Sequence, residues 1–393
     1  MSQTVDLELL DEIKKYGIVN IENCFNCGNC TAVCSMTGED ASFPRKDIRY
    51  AQLGLKDKLI GSKELWLCYN CGECSETCPR QADPAAFMTA ARNYAIASYD
   101  PTGLARVLFT RPILAALILI ALAIVLGLFL YTNTSLMPQD SLRLFEFLPR
   151  DFIHSFGLIA LIIVVLLVAY ALVKTVTFHF RIHHITLKRC LEIRLKDWFK
   201  SMWIALAKQG IGQSQFIRDC GKYDPKEPWY ISKWFVHSAT FWGFLGLLAS
   251  TALDFLLDII GVKPTGTFVP IWYPVRFLGT AAGLFLVYGV SVLIMKRILK
   301  VDQAHSHSTF SDWAFLILLW LAAVTGFVLE ISIYMPLAMW GYWVLLVHVT
   351  ISMELLLLLP FTKFAHGLIR PLILLVHTLE TAPEIALLEQ QAA

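Results

Sequence analysis

The chain has 393 residues, 56% of them hydrophobic, a mean hydropathy of +0.57 and a formal net charge of +2. That apolar share exceeds the usage of a soluble globular domain and implies an integral membrane protein. With no basic block behind the small net charge, a nucleic-acid-binding surface is not indicated.

The first hundred residues are polar, include the acidic stretch VDLELLDEIKK and show no secretory signal, which predicts a cytoplasmic domain. Eight of the ten cysteines lie between 24 and 78. In a reducing compartment such density reads as metal ligation, not as disulfides. Cys190 and Cys220 stand alone and read as inert thiols. The runs CFNCGNCTAVC (24–34) and CYNCGECSETCP (68–79) share the spacing C-x2-C-x2-C-x3-C, so the segment is an internal repeat. Three thiolates two residues apart can wrap one face of an iron-sulfur cube. The fourth lies too far along the chain to close it, and in two-cluster ferredoxins it ligates the other cluster. The expected ligand sets are Cys24, Cys27, Cys30 and Cys78 for one [4Fe-4S] centre, and Cys68, Cys71, Cys74 and Cys34 for the second. Zinc also takes paired C-x2-C motifs, but a four-cysteine run twice over, once ending in Cys-Pro, favours clusters.

After Pro101 the composition changes to six apolar runs, near 112–131, 152–173, 234–253, 277–295, 313–333 and 341–362, each about the 20 residues that a spanning helix needs. Lys and Arg number seventeen in the segments 174–233, 296–309 and 363–393, against four in 132–151, 254–276 and 330–340. The positive-inside rule then puts both termini in the cytoplasm of an inner (cytoplasmic) membrane protein. Within 187–233 the stretch LKRCLEIRLKDWFKSMWIAL repeats apolar residues at helical spacing between basic ones and reads as an interfacial amphipathic helix. The expected domains are a cytoplasmic two-cluster domain (1–105), a transmembrane haem b domain of six helices (106–370) and a cytoplasmic tail (371–393). The fold class expected is mainly α.

Four histidines sort by depth. His237 at the start of the third run and His366 at the end of the sixth lie at the inner side, whereas His154 and His348 lie at the outer side. Two bis-histidine b haems need that arrangement. His348 and His366 lie eighteen residues apart on the sixth helix, five turns and about 27 Å along its axis, close to the hydrocarbon thickness, so the two are expected to serve different haems. His179, His183, His184, His305, His307 and His377 fall in basic loops or the tail and are expected to be solvated or to meet lipid headgroups. Glu354, about 240° around the sixth helix from His348, is a costly intramembrane carboxyl whose role is a proton path or a buried hydrogen bond. Lys263, Trp272, Tyr273 and Arg276 sit at the outer face. Together with Glu354 they mark a candidate quinone neighbourhood, although each of the four also suits an interfacial anchor.

These residues resemble known families. Residues 20–95, with both cysteine runs and the link FPRKDIRYAQLGL, resemble the C subunit of heterodisulfide reductases. Residues 150–370, through KWFVHSATFWGFLG and LLVHVTISMELLLLLPFTKFAHG, resemble the cytochrome b subunit of respiratory nitrate reductase and the E subunit of membrane heterodisulfide reductase. The fusion is similar to the C subunit of the quinone-interacting membrane-bound oxidoreductase complex of sulfate-reducing microbes. One departure stands out. The nitrate reductase cytochrome has a second histidine ten residues after the first on the third helix, where this chain has Leu247, so the outer haem must recruit His154 or be absent.

The resemblance implies electron transfer from menaquinol through b haems and two clusters to flavin- and iron-sulfur-containing cytoplasmic partners, with adenylylsulfate reductase as the downstream acceptor in sulfate respiration. The chain itself carries no G-x-G-x-x-G fingerprint for flavin or nicotinamide. A membrane arm of a heterodisulfide reductase is the alternative. In another class stands a membrane-anchored iron-sulfur sensor, or a transporter whose histidines bind protons or metal instead of haem.

Overall fold

The computed structural model describes residues 4–17, 20–38, 42–140, 142–183, 193–214, 228–262, 269–300, 308–335 and 339–391, with backbone alone beyond 380. Among these residues the protein is mainly α and has no strand. The N-terminal part holds α1 (Leu9–Lys14), α2 (Asn29–Val33), α3 (Arg45–Gln52), α4 (Lys56–Ile60), α5 (Glu64–Leu67), α6 (Glu73–Glu76), α7 (Pro84–Tyr99) and α8 (Leu104–Thr110). The helix α7 organises this part. Pro84 occupies its first turn, and the Asp83 carboxylate caps it by accepting from the Ala86 N–H at 3.1 Å. Its buried face, including Phe87, Met88, Ala91 and Tyr99, meets Trp66, whose ring stacks on Tyr99 at 6.2 Å. Burial of each such aromatic contributes about 2–3 kcal/mol.

Six of the helices that follow are long and apolar enough to cross a membrane. They are α9 (Pro112–Thr132), α11 (Arg150–His183), α13 (Lys233–Ile259), α14 (Pro274–Ile298), α15 (Phe310–Ile333) and α16 (Trp340–Leu358); a short α10 (Leu144–Phe147) lies between the first two. On α9, Ile113, Leu117, Ile120 and Ile124 recur on one face and stay exposed, which suits lipid contact. Between α11 and the next span lies α12 (Leu195–Met202), continued by a π-helix (Trp203–Ile211). Leu187 and Leu191 of the expected amphipathic helix lie outside the described residues, as do Lys263, His184, His305, His307, Cys190 and Cys220. The chain ends in α17 (Ala365–Gln391), which runs through position 370, where the sequence suggested a boundary.

Two expectations are corrected. The sixth span does not continue to His366: α16 stops at Leu358, a 3-10 turn covers Leu359–Phe361, Thr362 is extended, and α17 begins at Ala365. Pro360 is the cause, since it lacks the N–H that a continuing helix needs. The five-turn separation of His348 and His366 along one axis therefore does not exist. Second, α11 has 34 residues and is about 51 Å long, well beyond the roughly 30 Å hydrocarbon core. Its last turns reach the N-terminal part, where a Cβ on Gly61 would come within 2.9 Å of the Phe178 carbonyl. His179 is consequently not solvated but 1% exposed.

The N-terminal part and the bundle share one core. Leu9, Ile13, Trp66 and Phe87 belong to the same apolar cluster as Ala205, Phe361, Ile369 and Ile373. The cysteine domain is thereby seated on α17 and the end of α11, with Ala205 of the π-helix in the same core.

Candidate electron-transfer centres

The sequence repeat is also a backbone repeat. In both C-x2-C loops the Asn and the Gly adopt left-handed conformations: Asn26 and Gly28 have φ of 59° and 91°, Asn70 and Gly72 of 56° and 95°. Asn and Gly are the residues that reach this region at least cost. The turns they permit direct the intervening cysteines to one side. A pocket of about 470 Å³ is lined by Cys34 together with Cys68, Cys71 and Cys74. The fourth cysteine of the first run thus joins the first three of the second. Backbone N–H groups of Asn70 and Ala82 point to the sulfurs of Cys68 and Cys78, each at 3.4 Å. Around the other set, Asn29 donates to the Thr77 carbonyl at 2.6 Å, drawing the chain before Cys78 against α2. Burial raises the pKa of Cys30, Cys34, Cys68 and Cys74, and the neighbouring thiols Cys68 and Cys71 add to it at Cys34 and Cys74. Four thiolates become tolerable in such places when iron binds them, so the donor set fits two clusters.

His237 lies on α13 and His366 on α17. Burial, then the Arg92 guanidinium, holds His366 down to about 3, with His237 and Arg370 acting in the same direction. A ring kept neutral is the form an iron ligand requires. The Nδ1 of His237 donates to Gln213 Oε1 at 3.1 Å, and that of His366 donates to the Lys363 carbonyl. In each ring Nδ1 is held by an oxygen, the outer-shell contact that a metal-ligating imidazole usually makes, so the donor types fit a bis-histidine haem.

The outer histidines have different neighbours. His348 bonds through Nδ1 to Thr325 Oγ1 at 3.0 Å, and a Cβ on Gly326 would approach its ring to 3.2 Å. His154 meets Phe255 edge-on at 4.9 Å. Leu247 packs partly buried with the cluster around Leu286 and Leu316. Among the quinone candidates, Arg276 is bound to Glu330 at 3.1 Å and lies over the Tyr334 ring, while Thr280 also donates to Glu330. Trp272 is 77% exposed, as an interfacial anchor would be, and Tyr273 precedes α14. Glu354 is 2% exposed and its Oε1 has no hydrogen-bond partner.

Several residues at these sites carry no signal in the sequence. Arg92 donates to the carbonyls of Leu65 and Cys68, both at 2.8 Å, and Lys233 donates to Cys71 O at 2.9 Å. His179 bonds Gly61 O and Glu380, while Lys63 reaches Glu380 and His377, a polar lock between the cysteine domain, α11 and α17. Isolated Arg, Lys and Gln residues have no spacing signature, so only Pro360 and the length of α11 could have hinted at these contacts.

Residues 20–82 match the family described as 4Fe-4S dicluster domain. The protein carries such a domain at its N-terminus. The chain is 38% identical over 63 residues to the C subunit of the H(2):CoB-CoM heterodisulfide,ferredoxin reductase of Methanothermobacter thermautotrophicus and to that of Methanothermobacter marburgensis. This overlap is 16% of the present chain and 34% of each relative. The chain is also 38% identical over 78 residues to the iron-sulfur C subunit of the CoB–CoM heterodisulfide reductase of Methanopyrus kandleri, covering 20% of this chain and 41% of that one. The chain thus spans between a third and two fifths of the length of these relatives. No solved structure matches.

Proposed function

We propose that the chain is the membrane electron-transfer component of an oxidoreductase complex. It passes electrons from menaquinol through b haems and two [4Fe-4S] clusters to flavin-containing cytoplasmic partners, toward adenylylsulfate reductase in sulfate respiration. One observation supports the reading: His237 and His366 lie on helices whose Lys233 and Arg370 bond carbonyls of the Cys68–Cys71 loop, so a haem between them would adjoin the cluster domain. His237 and His366 would hold the inner haem, and His154 and His348 the outer one. A bound haem supplies a one-electron couple. The chain's own residues orient the imidazoles through Gln213, Lys363 and Thr325.

Both termini and the cysteine domain lie in the cytoplasm in this reading. The domain's seat at the end of α11 and the start of α13, the ends flanking the basic segment, supports that orientation. Quinol oxidation releases protons, and the buried, unpartnered carboxyl of Glu354 is the group placed to accept one. The names of the relatives favour a second reading, the membrane arm of a heterodisulfide reductase. Which soluble proteins copurify with the tagged chain separates the two.

The deciding experiment is a dithionite-reduced minus oxidised spectrum with haem-to-protein stoichiometry. Two b haems per chain are expected. A spectrum with no b-type absorption overturns the proposal and favours the cluster sensor or the transporter.

A further inference from the structure

The two cysteine loops, so alike in backbone, are held by different chemistry. The loop 24–27 is gripped inside its own domain by a neutral side chain: Gln52 donates to Cys24 O at 2.9 Å and accepts from Asn26 at 2.5 Å. Arg45 and Arg80 lie nearby, beside Gly28 and over the Phe25 ring, but both are exposed, where water screens their charge. Cys27 is itself exposed, and Phe25 is 61% exposed.

The loop 68–71 is instead gripped by three cations, two of them from the bundle. Arg92 of α7 donates to Cys68 O at 2.8 Å. Arg370 of α17 donates to the same carbonyl at 3.4 Å, with its guanidinium stacked on Tyr69 at 4.2 Å. Lys233 of α13 donates to Cys71 O at 2.9 Å. The helical period makes this more than a set of contacts. Lys233 lies one turn before His237, and Arg370 lies one turn after His366. Each inner histidine therefore shares its helix face with a cation that holds a carbonyl of this one loop.

We infer that the cluster of Cys34, Cys68, Cys71 and Cys74 is the one that exchanges electrons directly with the inner histidine pair, and that Lys233, Arg370 and Arg92 are the positioning residues that hold it there and set its potential. The cluster of Cys24, Cys27, Cys30 and Cys78 is then the outer station, presenting exposed Cys27 and Phe25 to the soluble partner. This order rests on the haem reading proposed above. With both groups bound, the transfer would be of one electron, oxidising a ferrous haem to ferric and reducing a [4Fe-4S]2+ cube to [4Fe-4S]+, with no bond broken and no proton needed. The cube gains one negative charge, so cations at its loop stabilise the reduced form and raise its potential.

The test uses the full chain in detergent with both clusters loaded, and reads electron paramagnetic resonance during redox titration. Signals are assigned by Cys71→Ser and Cys27→Ser. In the wild type, the signal perturbed by Cys71→Ser should show spin relaxation enhanced by paramagnetic haem, and the one perturbed by Cys27→Ser should not. Lys233→Met and Arg370→Gln should each lower the midpoint of the first signal alone, at unchanged haem content, and Lys233→Arg should restore it. If the Cys27-dependent signal carries the enhancement, or if neither midpoint moves while haem is present, the order is overturned and the haem reading stands. A wild-type chain without haem overturns both. The wild-type relaxation measurement decides the order even if a cation variant fails to fold.

Discussion

Cys34 is the residue on which the two-cluster arrangement turns. It belongs by sequence to the first run and by structure to the pocket of the second. Cys34→Ser should therefore perturb the resonance of the centre held by Cys68, Cys71 and Cys74 and leave the other within error; the reverse pattern would show that each run closes its own cube. Another residue-scale device lies in α3. Asp47 is fully buried, and the Ser62 hydroxyl lies within hydrogen-bond distance of both Asp47 (2.5 Å) and Glu64 (2.6 Å). A hydroxyl has one hydrogen, so Ser62 can donate to only one carboxyl. Glu64 is the ionised partner because Lys46 pairs with it, and Asp47 must supply the proton of the second bond. Burial, with the Glu64 charge, accordingly raises Asp47 from its ordinary value to about 8. The folded state then binds a proton that the unfolded chain releases near pH 4, so this contribution is full at acid pH and is lost as pH rises toward 8. Asp47→Asn keeps the neutral hydrogen bond and removes the slope. Thermal melts at pH 5 and pH 8 should show the wild type losing more stability than the variant, and parallel losses would refute the protonated Asp47.

At the scale of elements, side-chain identity and backbone need explain what could be read in advance. The cysteine repeat was legible because ligand chemistry fixes residue type and spacing together, and because left-handed turns select Asn and Gly at the same offsets. Spans were legible by length and apolar content, which is all the bilayer demands. Their ends were less so: α11 runs on past its apolar stretch because tertiary contact with Gly61, not lipid, continues it. Close packing of α13 on α14 was invisible, since a glycine in an apolar run carries no periodic signal. Yet a Cβ on Gly243 would lie 2.6 Å from the Leu286 nitrogen and 2.8 Å from the Ala282 carbonyl, backbone atoms that cannot turn aside. Gly243→Ala should push the helices apart and cost about 1–3 kcal/mol, read as a lower melting temperature. Gly367, on α17 with nothing within 4 Å, is the control: Gly367→Ala should be neutral or stabilise by up to about 1 kcal/mol. Equal losses at both positions would show that helix contact is not the cause.

In the whole molecule, the break at Pro360 changes how the histidines relate without removing the proposed division of labour. His348 stays in α16 with its ring against Thr325 and Gly326, whereas His366 starts a separate helix that turns back along the cysteine domain. The two histidines therefore sit on separate helices, α16 and α17. His366→Ala should remove the inner haem, lowering the stoichiometry from two to one and stopping electron transfer to the clusters, while quinol still reduces the remaining haem. His348→Ala should also leave one haem, the inner one, which quinol then reduces poorly. The two variants thus separate by function even where their haem content agrees. The outer site depends on His154, whose ring the structure sets against Phe255, and on a third span with Leu247 in place of a histidine. Haem content unchanged in His348→Ala would remove the outer centre and reduce the conduit to one haem beside the Cys68 loop. Content falling in both variants, with quinol still reducing the remaining haem but no longer the clusters in His366→Ala, would establish two centres in series.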